Sequence, residues 1–149
     1  MLVRDLMTPD PVTVTAEVSV KEALARLARL GITSMPVVDG HHRLCGIVSE
    51  ADLIRDLVAR DPRVQERPVE IEPLFPPHTV EEVYTRSAAS VRIDDDVASA
   101  VETMTALSAK SLPVVDTRGR LVGVLSRSDV VQALARADEV IAADIDEVL

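Results

Sequence analysis

Aromatic side chains are almost missing from this chain. It has no tryptophan, and Phe75 and Tyr84 are the only aromatics among 149 residues. The core must therefore be built from Val, Leu, Ile, Ala and Met, and any planar ligand must stack on aliphatic groups or peptide planes. Cysteine is equally scarce: Cys45 by itself forms neither an internal disulfide nor a cysteine-based zinc site, which suits a reducing compartment. Basic charge is in deficit. Sixteen Lys plus Arg against 25 Asp plus Glu leave a net charge of −9 and a pI near 4.7, a field that repels nucleic acid. No apolar run reaches the roughly 18–20 residues of a membrane span, and the opening MLVRDLMTPD lacks the basic-then-apolar order of a signal peptide, so a cytoplasmic location without membrane contact is expected. There is no phosphate-cradling glycine loop, nucleophile elbow or His-x-x-x-His motif, so a non-enzyme is expected.

What is present is globular: 47% apolar and 28% charged residues, on a length that suits one domain or two small halves sharing a core. The chain also repeats itself. At an offset of 77, residues 3–57 align with 80–134 without a gap and 17 of 55 positions are identical, including Ser34-Met35-Pro36-Val37-Val38-Asp39 against Ser111-Leu112-Pro113-Val114-Val115-Asp116. Two copies are too few for a solenoid, so a pseudo-twofold pair burying its apolar faces is expected.

Each copy reads the same way. Residues 12–15 and 90–93 alternate like short strands. A helix follows, with Ser19 as N-cap, Glu22 completing a capping box and Val20, Leu24 and Leu27 at helical spacing. In the second copy Asp96 caps, with Val97, Val101 and Met104 on one face. Two apolar runs (35–38 and 44–48; 112–115 and 121–125) flank turns of Asp-Gly-His-His-Arg and Asp-Thr-Arg-Gly-Arg. A second helix opens at Ser49 or Ser126 and carries Leu53, Ile54, Leu57 and Val58, or Val130, Val131 and Leu134. The expected fold is α/β (α+β), two strand-helix-strand-strand-helix repeats at 1–60 and 80–137. A stiff proline-rich linker at 61–79 joins them and an acidic tail at 138–149 follows.

Several segments resemble the CBS (cystathionine-β-synthase) domain. These are Gly31-Ile32-Thr33-Ser34-Met35-Pro36-Val37-Val38-Asp39, Gly46-Ile47-Val48-Ser49-Glu50-Ala51-Asp52-Leu53 with its twin Gly123-Val124-Leu125-Ser126-Arg127-Ser128-Asp129-Val130, and the opening Leu6-Met7-Thr8-Pro9. With both copies at one spacing, residues 1–137 are similar to a stand-alone tandem pair, a Bateman module. The second copy departs in its opening, Val83-Tyr84-Thr85-Arg86, which lacks Met, and in having Ser108 and Lys110 where the first has Gly31 and Thr33.

The Gly-x-x-Ser-x-x-Asp element has its own physical reading. A strand enters a helix whose free N–H groups lie beside a Ser hydroxyl, while Asp at the third helical position suits a ribose diol better than a phosphate. Ser-x-x-Asp is equally an ordinary helix cap. The resemblance implies ligand binding in a cleft between copies. One site would combine Thr8, Val12, Thr33, Ser34 and Met35 with Ser126, Arg127, Ser128 and Asp129. The other would combine Thr85, Ala89, Lys110, Ser111 and Leu112 with Ser49, Glu50, Ala51 and Asp52. Arg127 in one and Glu50 beside Lys110 in the other predict different phosphate preferences.

Other features read as structural: His41 and His42 as a solvated turn, Asp94-Asp95-Asp96 as a strand-to-helix turn, Cys45 as a small buried hydrophobe, and His78 as uninformative among prolines. No metal site and no required cofactor are expected. The resemblance implies a regulatory module sensing AMP, ADP, ATP or S-adenosylmethionine and acting on an unknown effector protein. The alternative is a structural or protein-interaction module with vestigial pockets. A homodimer is expected in either case, because Leu53, Ile54, Leu57 and Val58 span an arc of about 140°, wider than one sheet contact requires.

Overall fold

A computed structural model describes residues 1–60, 78–86 and 88–148, with the backbone alone for 60 and 138–148. The expected linker, apart from residues 78 and 79, lies outside the described residues. The chain divides into two compact units, unit 1 comprising Met1–Pro11 with Ala89–Leu149, and unit 2 comprising Val12–Ala88.

Unit 2 carries a four-stranded sheet. Strand β2 (Val14–Thr15) runs parallel to β3 (Ser34–Val38), which is antiparallel to β4 (Leu44–Ser49), and β4 is antiparallel to β5 (Thr85–Arg86). Helices α2 (Val20–Leu30) and α3 (Glu50–Arg60) and the short α4 (Val80–Val83) complete the unit. Pro36 is tolerated inside β3 because β2 pairs only with Val37 and Val38, beyond the point where the proline removes a donor. Val14, Val20, Ala23, Leu27, Met35, Val37, Val48, Leu53 and Val80 form its buried core, and half-buried Cys45 packs against it. Burial raises the thiol pKa of Cys45, as for an inert side chain.

Unit 1 repeats this plan. Strand β6 (Val91–Arg92) is parallel to β7 (Ser111–Val115), β7 is antiparallel to β8 (Leu121–Ser126), and β8 is antiparallel to β1 (Thr8–Pro9). Helices α1 (Val3–Leu6), α5 (Val97–Leu107) and α6 (Arg127–Val148) accompany it, so residues 138–148 of the segment expected as an acidic tail are helical. The strands expected at 12–15 and 90–93 are shorter, and Val12 is exposed. Of the three residues placed on one face of α5, Met104 is buried but Val101 is 36% exposed.

The opening helix and strand of each repeat are exchanged. Val3 of the first repeat packs in the core of unit 1, and Val80 of the second packs in that of unit 2. The bridge Leu2↔Asp96 fastens one exchanged segment and Ser19↔Thr79 the other. Glycine makes the exchange sterically feasible. A Cβ at Gly46 would fall 2.1 Å from the Thr85 carbonyl oxygen and 2.9 Å from the Tyr84 ring, and one at Gly123 would fall 2.8 Å from both Met7 Sδ and the Thr8 carbonyl oxygen. Tyr84 thus takes the place of Met7 over the equivalent glycine. Arg86 stacks 4.7 Å from its ring centroid, donates to its hydroxyl and pairs with Glu81, which raises the Arg86 pKa.

Local signals set the helix ends. Ser19 Oγ accepts from Glu22 N–H and Asp96 Oδ1 from Ala98 N–H. Helix α2 ends on Gly31 at φ 66°. Its counterpart Ser108 holds the same left-handed conformation at φ 52°, which costs a non-glycine residue about 1 kcal/mol.

In the hairpin turns Asp39 Oδ1 accepts from the N–H groups of His41 and Arg43, and Asp116 Oδ1 from those of Arg118 and Arg120. The strongest influence on each pKa, the Arg43 or Arg120 N–H, holds the carboxyl below its ordinary 3.8. A carboxyl depressed in the folded state contributes stability above the unfolded value, and that stability disappears as pH falls through the folded one. The urea midpoint is therefore expected to drop between pH 5 and about pH 3, and to drop less in the double variant Asp39→Asn, Asp116→Asn. Superimposable pH profiles of the two proteins would exclude the turn carboxylates as the cause.

Candidate functional site

The corner where the last strand of each sheet enters its helix carries the Ser-x-x-Asp residues, and in both units they form a reciprocal capping box. In unit 1, Asp129 N–H donates to Ser126 Oγ at 3.1 Å and Ser126 N–H donates to Asp129 Oδ2 at 3.0 Å. In unit 2 the equivalent distances for Ser49 and Asp52 are 3.2 and 3.4 Å. Two otherwise orphaned N–H groups are satisfied at each helix start. The capping interpretation of the motif is therefore correct as far as it goes, but it uses only one carboxylate oxygen.

The second oxygen differs between units. Asp52 Oδ1 lies 3.7 Å from Arg55 Nη1. The position three residues beyond Asp129 is Gln132, and among the described residues no ion pair or hydrogen bond engages Asp129 Oδ1. A half-buried carboxylate with one oxygen anchored and the other open is a directional acceptor at a positive helix end. That geometry suits a hydroxyl donor and places a free anion unfavourably.

Strand pairing brings further expected residues to each corner. Ser111 pairs with Ser126, and Ser34 with Ser49. Arg127 N–H donates to the Lys110 carbonyl at 2.9 Å, and Glu50 N–H to the Thr33 carbonyl at 2.8 Å. The exchanged strands add a threonine: Thr8 pairs with Val124, two residues before Ser126, and Thr85 pairs with Ile47, two before Ser49. Of the expected residues, unit 1 contains Thr8, Ala89, Lys110, Ser111, Leu112, Ser126, Arg127, Ser128 and Asp129, and unit 2 contains Val12, Thr33, Ser34, Met35, Ser49, Glu50, Ala51, Asp52 and Thr85. Among the described residues no strand pairing brings Ala89 or Val12 to a corner. The pre-proline segment of each copy consequently shares a unit with the Ser-x-x-Asp of the same copy. The side chains of Met35 and Leu112 are buried in their cores, which leaves only their backbone for a ligand. The exposed residues among them are Thr8, Val12, Thr33, Glu50, Ala51, Thr85, Lys110, Arg127 and Ser128.

Two features escaped the reading of the sequence. His78 Nδ1 lies 2.5 Å from Asp56 Oδ1 and 3.3 Å from Glu82 Oε2, tying the start of α4 to α3, contacts that no local spacing announces. The exchanged strands likewise carry no signal beyond two residues of extended chain. Among the described residues there is no group of three or more His, Cys, Asp or Glu placed to hold a metal ion, and no helix long and apolar enough to cross a membrane.

The CBS domain family matches residues 3–59 and 80–136, both repeats, and the chain belongs to that family as a tandem pair. It is 32% identical over 132 residues to the A-adding tRNA nucleotidyltransferase of Aquifex aeolicus (strain VF5), covering 89% of this chain but only 14% of that much longer protein. Among solved structures, CBSX2 of Arabidopsis thaliana in complex with AMP is 29% identical with a TM-score of 0.75, covering 92% of this chain and 98% of that one. The CBS domain pair of protein MJ0100 in complex with 5′-methylthioadenosine and S-adenosyl-L-methionine is 26% identical with a TM-score of 0.71, covering 92% and 98%.

Proposed function

We propose that the chain is a non-catalytic regulatory module that binds adenosine-type ligands at its Ser-x-x-Asp corners and presents the occupied state to an effector protein. The observation that carries this reading is the half-engaged carboxylate of Asp129, anchored through Oδ2 and open at Oδ1 beside the Ser126 hydroxyl. AMP, 5′-methylthioadenosine and S-adenosylmethionine, the ligands of the similar structures, share a ribose diol and an adenine and differ only at the 5′ carbon. A carboxylate oxygen at a helix start recognises what they share. Arg127 and Lys110 in unit 1, against Glu50 in unit 2, set which 5′ group each corner accepts. Among the described residues none of those named at either corner is aromatic, so the adenine lies on aliphatic side chains and bonds to backbone groups. No cofactor is required. The module works as a homodimer, since Ile54, Val58, Val131 and Leu134 are 43–63% exposed.

Thermal denaturation with AMP, ATP, 5′-methylthioadenosine, S-adenosylmethionine and, as control, GMP tests the reading. At a hundredfold over its Kd, a ligand of the folded state adds about 2.7 kcal/mol, or roughly 5–10 °C at this size. A shift with adenosine ligands that exceeds the shift with GMP is expected. No shift with any of them, in folded protein, overturns ligand sensing in favour of an interaction module with vestigial pockets.

A further inference from the structure

The two corners share one capping box, yet their carboxylates are held differently. Asp129 accepts from the Ser126 N–H at 3.0 Å, whereas Asp52 accepts from the Ser49 N–H at 3.4 Å. The longer bond goes with a second claim on the carboxylate. Arg55, about one turn further along α3, brings Nη1 to 3.7 Å from Asp52 Oδ1. Seventy-seven residues later the equivalent position is Gln132, which carries no charge. The Asp52 side chain is 19% exposed and that of Arg55 77%. The carboxylate is thus fixed in the corner, while the guanidinium reaches it from solvent and can swing away without uncovering the core.

We infer that Arg55 is a competitor built into the unit 2 corner: its guanidinium stands at the aspartate oxygen that a ribose diol needs, so a ligand must displace it to bind. The inference rests on the adenosine reading above and adds what sets the affinity of one corner. Asp52 Oδ2 already serves the Ser49 N–H, which leaves Oδ1 as the acceptor for a ligand. A guanidinium beside Oδ1 fills the space the diol enters and offsets the charge that makes the carboxylate a strong acceptor. The pair is exposed and therefore weak, which makes Arg55 a brake and not a block. Unit 1 has no such brake, because Gln132 has no charge to pair with Asp129. Unit 2 consequently fills at a higher ligand concentration than the same corner would with glutamine at position 55. Dissolved salt releases the brake, since an exposed ion pair is screened.

Calorimetric titration of the full chain with 5′-methylthioadenosine tests this, because its uncharged 5′ group is not sorted by Arg127, Lys110 or Glu50. The unit 2 step is the one that Asp52→Asn weakens. Arg55→Gln is expected to tighten that step about two- to fivefold and to leave the unit 1 step unchanged. Arg55→Lys, which keeps the charge, is expected to bind as wild type does, and Gln132→Arg to weaken the unit 1 step about two- to fivefold. Raising salt from about 0.01 M to about 1 M is expected to close the gap between wild type and Arg55→Gln, which an altered helix packing would not do. Folded wild type that leaves 5′-methylthioadenosine unbound, or whose binding Asp52→Asn does not touch, overturns this inference together with the diol recognition on which it rests. A unit 2 step that Arg55→Gln leaves unchanged, or a gap that salt does not close, overturns the role of Arg55 and leaves the adenosine reading standing.

Discussion

Gly46→Ala is expected to lower the melting temperature by about 5–10 °C, and Gly123→Ala by about half as much. The added methyl at Gly46 would meet the Thr85 carbonyl oxygen at 2.1 Å, and that oxygen belongs to β5, which pairs with β4 at this point. Backbone cannot rotate away as a side chain can. Strand β5 must lift, which breaks its ladder and draws the Tyr84 ring out of its packing against the unit 2 core. Overpacking of this kind costs about 1–3 kcal/mol or somewhat more. At Gly123 one of the closest atoms is Met7 Sδ, the end of a flexible chain that can swing aside. The Thr8 carbonyl, at 2.8 Å, needs a smaller shift than Thr85 does. Circular dichroism melts of both variants decide the matter, and a Gly46→Ala melt within about 2 °C of wild type would show that β5 is not held at this spacing.

Asp129→Asn is expected to weaken adenosine-ligand binding in unit 1 by about ten- to a hundredfold while changing unliganded stability by at most about 1 kcal/mol. The asparagine carbonyl can still accept from Ser126 N–H, as Oδ2 does at 3.0 Å, so the helix start is preserved. The oxygen that faces the ligand becomes an amide nitrogen, a donor where an acceptor is needed, and the charge that strengthens hydrogen bonds to the diol disappears. Asp52→Asn is expected to act on the other binding step only. Calorimetric titration with AMP or S-adenosylmethionine separates the two steps. Unchanged affinity and stoichiometry in both variants would reduce Ser-x-x-Asp to a helix cap and remove the basis for the function proposed above.

The repeat, the order of the main strands and helices and the identity of the capping residues were legible in the sequence because each depends on neighbours a few positions apart. Ser19, Asp96, Ser49 and Ser126 stand at helix starts because their side chains satisfy nearby N–H groups, a matter of spacing. The apolar runs read at 35–38, 44–48, 112–115 and 121–125 likewise contain Val37, Val48, Val114 and Leu125, all buried in the structure. The family resemblance nominated the Ser, Asp and Thr residues of the site. It carried no information on which carboxylate oxygen is anchored, and that oxygen decides what the aspartate can still bind.

Tertiary structure alone decided which core each opening segment joins. Val3 and Val80 are chemically identical and sit at the same register of their repeats, so no local preference records that each packs in the other repeat's unit. The exchange follows from sheet closure: a two-residue strand has too little pairing of its own, and the vacant edges of β4 and β8 at Gly46 and Gly123 receive it. Packing also left Val101 exposed where helical spacing had placed it on a face with Met104. Val101 and Val130 stand where the first repeat has Leu24 and Leu53, a difference invisible to a hydrophobic pattern that scores valine and leucine alike, and a groove of about 190 Å³ lies beside them in unit 1, since smaller side chains fill less of the space between packed helices.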